Sequence, residues 1–185
     1  MHSLVKYLVA AMLAWVPARV HAPREPIDEV LTRYESIAAD VASVALDEKE
    51  APLFAGPAGR SETALLMLSI ASYESTFQRV VDDGTRLGDN GHSYCLMQIR
   101  VGGGETREGW TGKQLVDDRT LCFRAGLHIL HASFHACRKL PLEDRLSAYV
   151  SGHCYANAAI SRSRIWRARS WWAAHELPAE GAEES

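Results

Sequence analysis

The chain has 185 residues, a formal net charge of −3 and 47% hydrophobic residues. That is enough apolar material for one globular core and points to one domain rather than two. Lys and Arg nowhere form a run of five or more, which speaks against the clustered basic face that a nucleic-acid partner requires.

Residues 1–22 read as a signal peptide. Lys6 closes a short n-region, Tyr7 to Val16 is an unbroken apolar run, and small residues follow at Ala18 and Ala22. The run is about half the roughly twenty residues needed to span a bilayer core. Val16-Pro17-Ala18 and Val20-His21-Ala22 both fit a cleavage site, the second leaving Pro23 as an unfavourable new N-terminus. No cysteine lies at either point, so no lipid anchor and no stable membrane attachment are expected once the leader is removed.

Residues 23–26 form a short linker before a single domain expected over 27–175. Apolar residues at 27, 30, 31, 34, 37 and 38 predict an amphipathic helix from Ile27 to about Leu46. Residues 47–60 are rich in Pro, Gly and charge and predict a loop. Ser61 is a fair N-cap for the next helix. From Thr63 to Ser75 the apolar positions run nearly all the way round, which requires burial on most sides.

Residues 82–93 predict a turn-rich loop, Tyr94 to Val101 is a short apolar segment, and Gly102 to Gly104 break the chain. A short helix is expected at 112–117, a clear one from Phe123 to Ala136, another from Pro141 to about Ser151, and a last one from Asn157 to His175. The acidic tail, 176–185, lacks apolar spacing and is expected to be disordered.

Export turns Cys95, Cys122, Cys137 and Cys154 into candidates for disulfides. If Cys122 and Cys137 lie at the two ends of one helix, they are about 22 Å apart. A disulfide needs Cα atoms within about 7 Å, so that pairing is excluded. The two pairings that remain are left open.

Glu74 is the chemical oddity, a carboxylate at the end of the most apolar helix. Burial there favours the protonated acid, the form that donates to the leaving oxygen when a glycosidic bond breaks. The triplet Tyr-Glu-Ser is not informative by itself, since Tyr34-Glu35-Ser36 repeats it on an ordinary amphipathic helix. The segments downstream of Glu74 carry the specificity. Gly88-Asp89-Asn90-Gly91 comes first, then Leu96-Met97-Gln98-Ile99, and later Ala148-Tyr149-Val150-Ser151-Gly152.

In this order and spacing, over residues 62–160, the chain resembles the lysozyme-like superfamily of SLT-type lytic transglycosylases and goose-type lysozymes. The resemblance implies a mainly α, lysozyme-like helical domain with a short irregular or β-like segment, around 82–101, beside the active-site cleft. It implies Glu74 as general acid/base and Tyr149 as the residue whose hydroxyl holds the catalytic carboxyl. It also implies Ser75 lining the site, Met97 and Gln98 at the cleft floor, and peptidoglycan glycan strands as partner, with no cofactor and no metal.

The sequence departs from the family pattern at three points. Cys95 stands where the family has Gly, Val150 replaces an Asn, and Arg100 follows Ile99 where the bacterial enzymes have Pro. A transglycosylase needs no second carboxylate, because the 6-hydroxyl of N-acetylmuramic acid captures the cationic sugar as a 1,6-anhydro ring. A hydrolase does need one to activate water, and Asp89 in the Gly-Asp loop is its candidate. Goose-type lysozymes carry a further Asp where this chain has Arg100. The transglycosylase is therefore the favoured reading, the muramidase the alternative, and a non-catalytic peptidoglycan-binding module the rival of another class.

His128, His131 and His135 fall near one helix face, with no carboxylate on that face to complete a zinc site. In the last helix the tryptophans are expected to pack on the core while Arg162, Arg164, Arg167 and Arg169 stay in water.

Overall fold

The computed structural model of the chain describes residues 1–176, so the acidic tail, apart from Glu176, lies outside the described residues. The fold is mainly helical, with one two-stranded antiparallel sheet. Its helices are α1 (His2–Trp15), α2 (Ile27–Leu46), α3 (Gly59–Glu74), α4 (Arg79–Asp82), α5 (Gly112–Asp117), α6 (Arg119–Ala136), α7 (Ser147–Ser151) and α8 (Ala158–Ala174). Strands β1 (Ser93–Tyr94) and β2 (Ile99–Arg100) lie between α4 and α5.

The centre of the molecule is α3. Every residue from Thr63 to Ser72 is buried, because α1, α2, α6 and α8 all pack on this helix. Its start lies before Ser61, which is buried in the first turn rather than capping it. Gly59 fixes the entry, since a Cβ there would collide with the Phe54 carbonyl. Thr63 Oγ1 then accepts from Leu53 N (2.9 Å) and donates to Gly59 O (2.7 Å), so the loop is tied to the helix by one hydroxyl.

The apolar run of the expected leader forms α1, with Leu4, Leu8, Ala11 and Met12 in the core. Tyr34 Oη of α2 donates to Val16 O at 2.9 Å, and Tyr7 and Trp15 meet Trp171 edge to face. Among the described residues no helix is long and apolar enough to cross a membrane.

Two helix starts are capped by side chains. Thr111 and Gln114 form a capping box on α5, and Asp118 accepts from Thr120 N and Leu121 N to open α6 four residues before the apolar spacing begins at Phe123. Arg119, in the first turn of α6, bonds Asp82 on both carboxylate oxygens and Asp40 Oδ2, which joins α6, α4 and α2. The helix expected from Pro141 to Ser151 is broken into a 3₁₀ turn, Leu142–Asp144, and α7.

The disulfides resolve the open pairing as Cys95–Cys122 and Cys137–Cys154. The first joins the β-hairpin to α6. The second joins the end of α6 to the segment before α8. Cys122 and Cys137 do lie near opposite ends of one helix.

Candidate active site

The turn after α3 presents Glu74. Thr76 and Phe77 both sit at positive φ, 48° and 52°, a region that costs about 1–2 kcal/mol for a residue with a Cβ. Three contacts hold it. Phe77 is wholly buried, Arg33 donates to its carbonyl, and its N–H donates to Ser75 Oγ at 3.2 Å. Ser75 Oγ also donates back to Ala71 O at 2.8 Å. Ser75 is therefore buried and closes the helix; it is not among the residues that line the cleft. Its hydroxyl shapes the turn that follows Glu74.

The opposite wall is the β-hairpin. Ser93 pairs with Arg100 and Tyr94 with Ile99. Cys95 and Gln98 turn the chain at φ 59° and 49°. A Gly at position 95, the residue of the family pattern, adopts that φ freely; here a disulfide-bonded Cys adopts it. Gln98 Nε2 donates to Cys95 O at 3.0 Å across the turn. Gly88 lies close against the Gln98 carboxamide, which would have to move aside for a Cβ there. The Gly-Asp loop and the Met-Gln turn are thus packed together.

Met97 is wholly buried, its thioether filling the notch left by Gly126 of α6. Its backbone carbonyl accepts from Tyr149 Oη at 2.7 Å. The hydroxyl expected to hold the Glu74 carboxyl is thus spent on the hairpin, locking α7 to it. Burial pushes the Tyr149 phenol well above its usual range, and the charge of Glu74 pushes it further while that of Arg164 opposes. Tyr149 therefore stays a neutral hydroxyl in electrostatic reach of Glu74.

A cleft of about 640 Å³ runs between these walls, lined by Glu74, Asp89, Gln98, Arg100, Ile129 and Tyr149 among others. Of the six residues predicted for the site, five line it, namely Glu74, Asp89, Met97, Gln98 and Tyr149. They come from four separate stretches of the chain.

Two electrostatic partners go beyond the sequence reading. The sequence presents Glu74 as an acid at the end of an apolar helix, with Arg79 and Arg86 the next arginines along the chain. Those two bond Glu29 and Gln78 instead. Glu74 Oε1 accepts from Arg164 Nη2 at 2.6 Å and Nε at 3.2 Å, and the side chains of both residues are largely buried (10% and 23% exposed for Arg164 and Glu74). Arg164 therefore does not stay in water. It shares the inward face of α8 with Ser161, Ile165 and Ala168, and that i, i+3, i+4, i+7 spacing is the signal that could have found it. Trp166 is the exposed tryptophan of the same helix, at 69%.

The second partner is Arg100, whose Nε lies 3.4 Å from Asp89 Oδ2. An exposed pair of this kind is worth under about 1 kcal/mol. It nevertheless means that Asp89 does not stand alone facing the cleft.

Two of the three histidines of α6 are engaged elsewhere. His128 sits between Glu50 and Glu108, at 3.0 and 3.1 Å, and stacks on Trp110, while His131 Nε2 meets Ala51 O at 2.8 Å. Among the described residues no group of three His, Cys, Asp or Glu side chains is placed to hold a metal ion.

No protein-family model matches the chain, and comparisons with characterised proteins and with solved structures give no match.

Proposed function

We propose that this protein is a peptidoglycan lytic transglycosylase of lysozyme-like fold that cleaves the β-1,4 bond between N-acetylmuramic acid and N-acetylglucosamine, with Glu74 as its single acid/base. The observation that carries the reading is the convergence of Glu74, Asp89, Gln98 and Tyr149 on one cleft. Those residues stand out by their order in the sequence, independently of any geometry. A glycan strand is long and polar, and an open polar cleft suits it.

The chemistry needs only one carboxyl group. In its acid form Glu74 gives a proton to the glycosidic oxygen as the C1–O bond breaks. The resulting carboxylate then takes the proton of the muramic-acid 6-hydroxyl, whose oxygen attacks C1 and closes a 1,6-anhydro ring. Glu74 ends protonated, and no water is consumed. Tyr149 holds the hairpin against α7 and keeps the far wall of the cleft in place through Met97 O. The hydrolytic alternative needs a carboxylate to activate water, and it is disfavoured because Arg100 stands where goose-type lysozymes carry a further Asp.

The reading includes export. Two disulfides support an oxidising compartment. The run from Tyr7 to Val16 supports a leader in the sequence, while in the fold it supplies core residues of α1. Those two roles differ in whether residues 1–22 remain on the exported protein, which an intact mass decides.

The test is mass spectrometry of muropeptides released from purified peptidoglycan by the wild type and by Glu74→Gln. Products ending in 1,6-anhydro sugars are expected from the wild type and none from the variant. Reducing ends would establish the muramidase and make Asp89 its candidate second carboxylate. Absence of any product from both proteins would leave a non-catalytic peptidoglycan-binding module.

A further inference from the structure

Arg164 reaches Glu74 from behind the cleft. It does not line the cleft, and its residue is only 8% exposed. Both of its bonds to Glu74 fall on the same oxygen, Oε1. Oε2 takes no hydrogen bond among the described residues, so the carboxyl is divided into one anchored atom and one free atom.

The guanidinium is itself held on every side. Its Nη1 donates to Ile160 O at 3.1 Å, one turn back on α8. Its backbone carbonyl accepts from Ser69 Oγ of α3 at 2.7 Å, which pins α8 to α3 one turn and a half before Glu74. The Tyr73 ring lies beside it at 5.1 Å and beside Arg167 at 3.8 Å, and Arg167 Nη1 donates to Ser72 Oγ at 2.7 Å. Ser69, Ser72, Tyr73 and Glu74 are thus gripped together by two arginines from the last helix.

We propose that Arg164 is the positioning residue of the active site: by fixing Oε1 it fixes the rotation of the Glu74 carboxyl and presents Oε2 alone for proton transfer to and from the glycan. The inference rests on the transglycosylase reading of Glu74. The terminal torsion of a glutamate is broad and roughly two-fold, so an unanchored carboxyl samples orientations in which neither oxygen faces the scissile bond. Proton transfer needs hydrogen-bond geometry first. A planar fork with two nitrogens on one oxygen sets that geometry in a way a single ammonium does not. In the family resemblance the anchoring falls to the tyrosine hydroxyl, and here that hydroxyl is committed to Met97 O. Arg164 supplies the restraint that Tyr149 does not.

The experiment uses the full-length protein and a soluble tetrasaccharide of alternating N-acetylglucosamine and N-acetylmuramic acid. It measures kcat and KM for the wild type, Arg164→Gln, Arg164→Lys, Glu74→Gln and the double variant Glu74→Gln/Arg164→Gln. Arg164→Gln is expected to lose kcat on the order of 100-fold, the scale of a small misplacement of a reacting group, with KM changed by less than about two-fold because Arg164 does not line the cleft. Arg164→Lys keeps the charge and is expected to recover part of kcat. Because the removal of one partner of a buried ion pair can unfold a protein, Arg164→Lys and the unfolding midpoint of each variant keep the outcome readable.

A folded Arg164→Gln with wild-type kcat overturns the proposal. So does a rise in KM at constant kcat, which would make Arg164 a sugar contact. If Arg164→Gln does not fold, an Arg164→Lys with wild-type kcat overturns it. Substantial turnover by Glu74→Gln would instead overturn the transglycosylase reading of Glu74. With Glu74→Gln inactive, the binding of the double variant should match that of Glu74→Gln alone.

Discussion

Cys95 offers a way to separate a cross-link from a backbone conformation. It closes a loop of sequence separation 27 with Cys122 and sits at φ 59°. The chain-entropy relation for a loop of that length gives about 3.5 kcal/mol of stabilisation. The left-handed backbone works against it by about 1–2 kcal/mol relative to glycine. Cys95→Ala/Cys122→Ala should therefore lose about 3.5 kcal/mol, because it removes the cross-link and keeps the Cβ at a left-handed position. Cys95→Gly/Cys122→Ala should recover about 1 kcal/mol or more of that loss, since glycine adopts the turn freely. Urea unfolding with a common slope measures both. If the glycine variant is no more stable than the alanine variant, the assignment of strain to position 95 is refuted. If neither differs from the wild type, the disulfide contributes nothing measurable.

Other perturbations test other links. Asp89→Asn should leave anhydro-product formation within about three-fold of the wild type, because an exposed pair with Arg100 carries little energy; a hundred-fold loss, read by the same muropeptide assay, would restore Asp89 as a catalytic carboxylate. Leu8→Ala in the full chain should cost about 2–5 kcal/mol in urea unfolding, the range for a wholly buried leucine; a wild-type midpoint would mean that α1 contributes no core packing. Stability should also fall on the acid side. Burial and then the charge of Arg33 hold His21 below its ordinary 6.5, so below that value the unfolded chain binds the proton that the folded chain refuses. Glu25 is held below its ordinary 4.5, first by its hydrogen bond from Arg33, and its contribution is present above that value and lost as pH falls through the lower folded value. Unfolding midpoints at about pH 7.5 and about pH 5.5 should differ in the wild type, by at most about 1.4 kcal/mol per pH unit for a single proton. In His21→Gln the difference should shrink, and an unchanged difference would remove His21 as its source.

Local pattern is legible where local rules decide the structure. The apolar spacing of 27–46 matches the bounds of α2, and the apolar circumference of 63–75 identifies the helix that lies at the centre. Helix length alone excludes one of three disulfide pairings. Caps are less legible. Ser61 has the chemistry of an N-cap, but the helix starts at Gly59, which makes a tight approach to Phe54. Asp118 lies outside the apolar spacing of α6, yet its side chain accepts from two backbone N–H groups.

The site divides in the same way. Gln98 and Asp89 share a cleft with Glu74 and Tyr149 because short segments with distinctive turns carry them. The hidden parts are the pairings of Glu74 with Arg164 and of Tyr149 Oη with Met97 O, with sequence separations of 90 and 52. No periodicity records which carbonyl a buried hydroxyl chooses. The run at 7–16 shows a limit of another kind, since the same apolar residues suit a leader and a core helix.

The placement of Arg164 on the last helix has a consequence for how the protein is made. Chains emerge from their N-terminus and begin to fold as they do. Glu74 and the hairpin wall of its cleft are synthesised well before α8, so in a nascent chain the counter-ion of this carboxylate has yet to arrive. Ser69 and Ser72 wait on the same helix for Arg164 and Arg167. A protein interrupted anywhere between α7 and residue 164 would carry the acid, the hairpin and the cysteines of the first disulfide, yet would leave the acid without its anchor. On the proposed reading, the acid is set in position only once α8 has been added to the chain.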